Sequence, residues 1–89
     1  MTMGYRIEYR REAVRYLERL SPRDRDRILN SIESLGENPD SRNLDIKRLK
    51  NRPGFRLRVG QYRVLYERFE DRLMILVVAV RPRGEAYKE

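Results

Sequence analysis

Eighty-nine residues are enough for one small domain and leave no room for a separate cofactor-binding unit. The chain has no cysteine and no histidine, which excludes disulfides, thiolate zinc sites, a cysteine nucleophile and the usual neutral-pH acid/base. Lys and Arg outnumber Asp and Glu by 21 to 14, a net +7, which points to a polyanion or an acidic partner.

Tyr5, Ile7 and Tyr9 alternate with Arg6 and Glu8, which predicts a short strand. Over Glu12 to Leu20 the apolar residues Ala13, Tyr16, Leu17 and Leu20 recur at helical spacing. Ser21-Pro22-Arg23-Asp24 reads as a second helix start: a capping hydroxyl, a proline at the first position and an acid near the positive dipole end. Ile28, Leu29, Ile32 and Leu35 continue that helix until Gly36 and Asn38-Pro39 stop it. The segment from Gly36 to Pro53 is the loop-richest part of the chain. Phe55 to Val59 and Tyr62 to Phe69 are alternating strands joined at Gly60-Gln61, a pairing suited to a type II′ hairpin. Arg72 to Val80 is nearly all apolar, as expected of a central strand covered on both faces. The predicted class is α+β in the order β-α-α-β-β-β, a helical hairpin packed on one face of a small antiparallel sheet, in a single domain spanning residues 1–89. No apolar leader follows Met1 to Met3, and the longest apolar run, Leu73 to Val80, has eight residues. The expectation is a soluble cytoplasmic protein with no membrane partner.

The charge excess sits in one stretch. Residues 1–40 hold eight basic and eight acidic residues, and residues 67–89 hold five of each. Residues 41–66 hold eight basic residues and one acid, Asp45, and so carry the whole +7. With Gly60-Gln61 as the turn, Val59 faces Tyr62, Arg58 faces Arg63, Leu57 faces Val64, Arg56 faces Leu65 and Phe55 faces Tyr66. One face then collects Phe55, Leu57, Val59, Tyr62, Val64 and Tyr66 for the core, and the other collects Arg56, Arg58 and Arg63. Like charges directly opposite one another repel. Asp45 or Glu67 would screen them, or a phosphate backbone would relieve them by accepting the guanidinium forks. Lys47, Arg48, Lys50 and Arg52 extend the same footprint in the preceding loop.

The run Phe55-Arg56-Leu57-Arg58-Val59-Gly60-Gln61-Tyr62-Arg63-Val64-Leu65-Tyr66 resembles the "YRLRVGDYRVIYE" core of the RelE/ParE superfamily of bacterial and archaeal toxins. The opening Tyr5 to Leu20, the helical hairpin ending in Glu37-Asn38-Pro39, the Lys47-Arg48-Leu49-Lys50 segment and the ending Val80 to Tyr87 are similar to that family as well. The resemblance implies a toxin of a type II toxin–antitoxin pair, neutralised by a cognate antitoxin protein. A RelE-like member would enter the ribosomal A site and cut mRNA there as a metal-independent endoribonuclease, with no cofactor. Carried over residue by residue, Arg56, Arg58, Arg63, Arg83 and Tyr87 fall on catalytic positions, and Arg81 exchanges with Arg83 if the alignment slips. Lys47, Arg48, Lys50 and Arg52 would hold ribosomal RNA. The sequence departs from RelE in having Arg56 and Arg58 where lysines stand, Pro82 where a histidine is frequent, and Gly84 in place of a second tail arginine. Because arginine stays protonated, Arg56 does not serve as a general base.

RNA cleavage can use the 2′-hydroxyl of the RNA itself as nucleophile, so the protein's task is orientation and charge stabilisation, which arginines supply. In that reading Arg58 and Arg63 hold the scissile phosphate, Arg83 the leaving side, and Tyr87 stacks on a base or bonds the phosphate. Tyr87 equally fits packing against the sheet, and Arg81 and Arg83 a solvated terminus. Three rivals stand beside it: a ParE-like inhibitor of DNA gyrase without nuclease activity, a non-catalytic RNA-binding module, and a basic protein whose only ligand is an acidic antitoxin-like chain.

Overall fold

The computed structural model describes residues 4–83. Strand β1 (Arg6–Tyr9) exposes Arg6 and Glu8 and turns Ile7 and Tyr9 towards the core. Helix α1 (Arg11–Arg19) buries Ala13 and Leu17 and stops where Leu20 becomes extended. Arg25 then closes the end of α1: its Nε and Nη2 donate to the carbonyls of Leu17 and Leu20 at 3.1 and 3.0 Å. The Leu17 carbonyl also accepts from the Leu20 amide at 3.2 Å, so Arg25 adds to the capping of a helix end whose last carbonyls lack the regular amide partners. Helix α2 (Pro22–Glu37) begins as predicted, with the Ser21 hydroxyl accepting from the Asp24 amide at 3.3 Å and Pro22 in the first turn. It ends at Asn38, ahead of Pro39.

Gly36 does not act as the helix stop that its position suggested. It lies inside α2 where β1 passes over it, and its carbonyl accepts from the Tyr5 amide at 2.7 Å. A Cβ there would stand 2.9 Å from Ile7 Cδ1 and 3.2 Å from the Tyr5 carbonyl oxygen. The glycine is needed for close approach.

The sheet is completed by β2 (Asp45–Arg48), β3 (Phe55–Val59), β4 (Tyr62–Phe69) and β5 (Met74–Pro82) in the order β1-β5-β4-β3-β2. Helices α1 and α2 cover one face. Two features correct the expected antiparallel sheet. β1 runs parallel to β5, pairing Arg6 with Met74 through Tyr9 with Val77, so the sheet is mixed. The loop-rich stretch also contains an edge strand, β2, antiparallel to β3. Three of its four residues are charged, as suits an edge that must not pair with other chains. β5 is an interior strand between β1 and β4, as predicted, but helices cover only one of its faces, not both as its apolar run suggested. It begins after a short 3₁₀ turn (Glu70–Arg72) and Leu73 in the left-handed region at φ 48°.

The hairpin register is the expected one, with Val59 opposite Tyr62 and Arg58 opposite Arg63. Gly60 takes φ +57° while Gln61 keeps negative φ, the signature of a type II′ turn. Leu57, Val59, Val64 and Tyr66 therefore join Ile28, Ile32 and Leu35 of α2 and Ile75, Val77 and Val80 of β5 in the main core. Each fully buried aliphatic side chain contributes about 1.5–3 kcal/mol relative to exposure. The other face carries no helix. Its apolar part is a small cluster of Leu49, Leu65 and Ala79, with Val78 packed beside it. Leu49 is held there because its amide bonds the Gly54 carbonyl at 3.0 Å. Gly54 has φ +114°, and a Cβ on it would lie 2.7 Å from the Tyr66 carbonyl oxygen.

Candidate nucleic-acid interface

Directly paired residues of neighbouring strands share a face, so the register alone assembles the site. One row across the uncovered face reads Asp45, Arg58, Arg63, Arg81 over β2, β3, β4 and β5. The next reads Lys47, Arg56, Leu65, Ala79. Strands are roughly 4.8 Å apart, so three arginine Cα atoms fall within about 10 Å.

The charges in these rows do not balance. Asp45 accepts from Arg56 Nη2 at 3.3 Å and lies 3.7 Å from Arg58 Nη1, so one carboxylate serves two guanidinium groups. Arg56 is 8% exposed, and it is the buried charged residue among those described. The Nε atoms of both Arg56 and Arg58 are buried without a hydrogen-bond partner among the described residues. A desolvated cation with donors to spare is costly unless something else supplies acceptors. Of the two screening acids that the sequence offered, Asp45 takes the role. Glu67 lies further along β4, at a cavity near Arg68 and Phe69.

The hairpin that carries the arginines is pinned to both helices. The Tyr62 hydroxyl donates to Asp24 Oδ2 of α2 at 2.7 Å, and its ring meets the Tyr16 ring of α1 edge-on at 6.4 Å. The bond to Asp24, then burial, raises the Tyr62 pKa above its ordinary value, so the phenol remains a donor. At the tip, Gly60 lies against the Arg27 guanidinium, 3.1 Å from where a Cβ would stand. Arg63 Nη2 donates to the Arg83 carbonyl at 3.2 Å, and the Arg83 amide donates to the Gln61 carbonyl at 2.6 Å. The strand leaving the fold is thus tied over the end of the arginine row.

The structure brings Arg56, Arg58 and Arg63 together, with Lys47 beside them. Arg81 starts in the same row, but its Nη2 pairs with Glu12 Oε2 of α1 at 3.3 Å. Arg83 is exposed, and Tyr87 lies outside the described residues. The four loop cations do not share a surface. Adjacent strand residues point to opposite faces, so Arg48 turns away from Lys47 and lies 5.6 Å over the Phe55 ring. Arg52 lines a separate cavity with Arg48, and Lys50 is exposed beyond the end of β2. Sequence reasoning missed the Glu12–Arg81 pair. The only sign of it was an acid in the first turn of a helix whose packing partner was unknown.

Comparison with known proteins agrees with this fold. The model for the ParE toxin of the parDE type II toxin–antitoxin system matches residues 6–87. The chain belongs to the RelE/ParE family of type II toxins. The toxin is 32% identical over 88 residues to a protein named toxin RelE1 from Methanocaldococcus jannaschii, covering 97% of this chain and 98% of that protein. Its fold superposes on the archaeal RelE–RelB complex of Pyrococcus horikoshii OT3 with TM-score 0.79 at 27% identity, covering 94% of this chain and 100% of that one. The RelBE2 toxin–antitoxin complex of Mycobacterium tuberculosis shares the fold, with TM-score 0.77 at 23% identity, covering 96% of this chain and 98% of that one.

Proposed function

We propose that this toxin is a ribosome-dependent mRNA endoribonuclease that arrests translation. The observation that carries the reading is the row of Arg58 and Arg63 beside buried Arg56, with Asp45 as the carboxylate shared by Arg56 and Arg58. The 2′-oxygen of the nucleotide in the ribosomal A site attacks the adjacent phosphorus. A 2′-oxygen–phosphorus bond forms, the bond to the 5′-oxygen breaks, and the products carry a 2′,3′-cyclic phosphate and a 5′-hydroxyl. Guanidinium groups stay protonated, so the 2′ proton leaves to water and the 5′-oxygen takes one from water. Arg58 and Arg63 hold the phosphate oxygens as charge builds on them, and Arg56 strengthens the field from below. Arg83 acts on the leaving side, and Tyr87 stacks on or bonds the RNA. Lys47 guides the incoming backbone on this face, while Arg48, Lys50 and Arg52 meet ribosomal RNA at the sheet edge. Relatives solved as RelE bound to RelB support a cognate antitoxin as the physiological partner.

Cleavage of mRNA on purified programmed ribosomes tests the reading. Arg58→Ala and Arg63→Ala should each lower the rate by about 100-fold or more with an unchanged thermal midpoint. Full activity in both would remove the site from consideration. A second reading has one observation in its favour: the matching family model is described as a ParE toxin. A gyrase inhibitor of that type would leave RNA intact and instead trap gyrase on cleaved DNA.

A further inference from the structure

β1 covers β5 only from Met74 to Val77, so the outer half of β5 has no strand on that side. The gap between this half-strand and α1 is a cleft of about 390 Å³ lined by Glu12, Arg15, Tyr16, Arg19, Val80, Arg81 and Pro82. Arg15 and Arg19 stand one helical turn apart on α1, and neither makes an ion pair or side-chain hydrogen bond among the described residues. Like charges at this spacing destabilise an isolated helix by a few tenths of a kcal/mol. Residues 1–40 are neutral in sum, yet folding places these two arginines on the cleft with Arg81 facing them. One anion already sits there: the Glu12 carboxylate on Arg81.

We infer that this cleft is a second phosphate-binding site, which takes consecutive phosphates of single-stranded RNA, with Glu12 as the internal anion that the RNA displaces from Arg81. The inference rests on the nucleic-acid reading of the arginine row and extends it around the end of β5. Arg81 links the two, since its backbone pairs with Arg63 while its side chain enters the cleft. Arg15 and Arg19 are about 6 Å apart along the helix axis, comparable to neighbouring phosphates on one strand. The Glu12–Arg81 pair is exposed, with side-chain accessibilities of 61% and 40%, and an exposed pair is weak enough for a phosphate to replace. An RNA strand leaving the cleavage site thus has a marked path over the tip of the hairpin.

The test is direct binding of a fluorescent, uncleavable 2′-O-methyl RNA decamer across a salt series, which does not depend on nuclease activity. Arg15→Gln with Arg19→Gln should weaken binding about tenfold and flatten the log–log salt slope by roughly 0.7 per arginine removed. Glu12→Gln should tighten binding by roughly threefold, and that gain should vanish in an Arg81→Gln background. Arg72→Gln, the loss of one positive charge at the other end of the sheet, should neither weaken binding by more than its single charge share nor tighten it. Four results overturn the inference: an Arg15/Arg19 variant that binds like wild type, an Arg72 variant that loses as much, a wild type that does not bind the decamer at low salt, and cleft-dependent binding of a poly-glutamate peptide in place of RNA. In each case ribosomal cleavage by the wild type, and its loss in Arg63→Ala, still judges the nuclease reading separately.

Discussion

Arg68 at one end of the sheet and the arginine cluster at the other differ in their acceptors. At the far end of β4, Arg68 donates to Asp40 at 2.9 and 3.2 Å and to the Tyr5 hydroxyl at 3.4 Å, and it also pairs with Glu70. Those partners hold its pKa above the ordinary arginine value. At the hairpin end, Arg56 and Arg58 share Asp45 beside Arg63. Arg68 fastens β4 to the N-terminal segment and to the loop after α2. The hairpin cluster leaves the buried Nε donors of Arg56 and Arg58 without acceptors among the described residues. An arginine's role is set by the number of acceptors around it, more than by how deeply it is buried.

The comparison breaks most visibly through activity. Arg58→Ala or Arg63→Ala should remove toxicity and ribosomal cleavage by about 100-fold or more while the thermal midpoint holds. Arg68→Ala should do the reverse, keeping cleavage per folded molecule and lowering stability by about 1 kcal/mol, or roughly 4–8 °C in Tm for a domain of this size. Asp45→Asn sharpens the contrast, because it removes the shared carboxylate. RNA affinity should rise by roughly threefold, with a modest fall in Tm. If affinity drops instead, Asp45 helps to shape the phosphate site and does more than screen it.

The smallest effect concerns acid. The Arg68 hydrogen bond and charge hold the Asp40 carboxyl below its ordinary 3.8. A depressed folded-state pKa gives stability that is present above the unfolded value and lost as pH falls through the folded one. The Tm difference between wild type and Asp40→Asn should therefore be constant near neutrality and shrink below about pH 4. A difference that grows in acid would reverse the assigned sign. At the alkaline end, burial pushes Tyr66 up to about 12, so stability should fall between the ordinary 10.0 and that value, where the unfolded chain ionises and the folded one does not.

The hairpin was legible in the sequence because Gly60 fixes the turn and period-two alternation fixes the faces. Arg56, Arg58 and Arg63 on one surface followed from these two facts. The second helix start was legible because Ser21 and Pro22 act locally. β2 was not legible, since three charged residues out of four conceal an alternation whose one apolar member is Ile46. Without β2, Lys47 and Arg48 looked like one patch, although neighbours on a strand must part. The parallel pairing of β1 with β5 joins residues 68 positions apart, and no local pattern encodes that. The Glu12–Arg81 pair depends on it, because α1 reaches β5 only once β1 has docked alongside.

That pairing also sets the order in which the molecule can be built. Arg25 staples two helices adjacent in sequence, and such contacts form early, whereas a contact between distant segments waits for the whole intervening stretch. β5, an interior strand between β1 and β4, is the last strand to be synthesised among the described residues, and the arginine row lacks one of its flanking strands until it arrives. On the proposed function, a nascent copy would therefore lack its assembled arginine row until β5 has emerged.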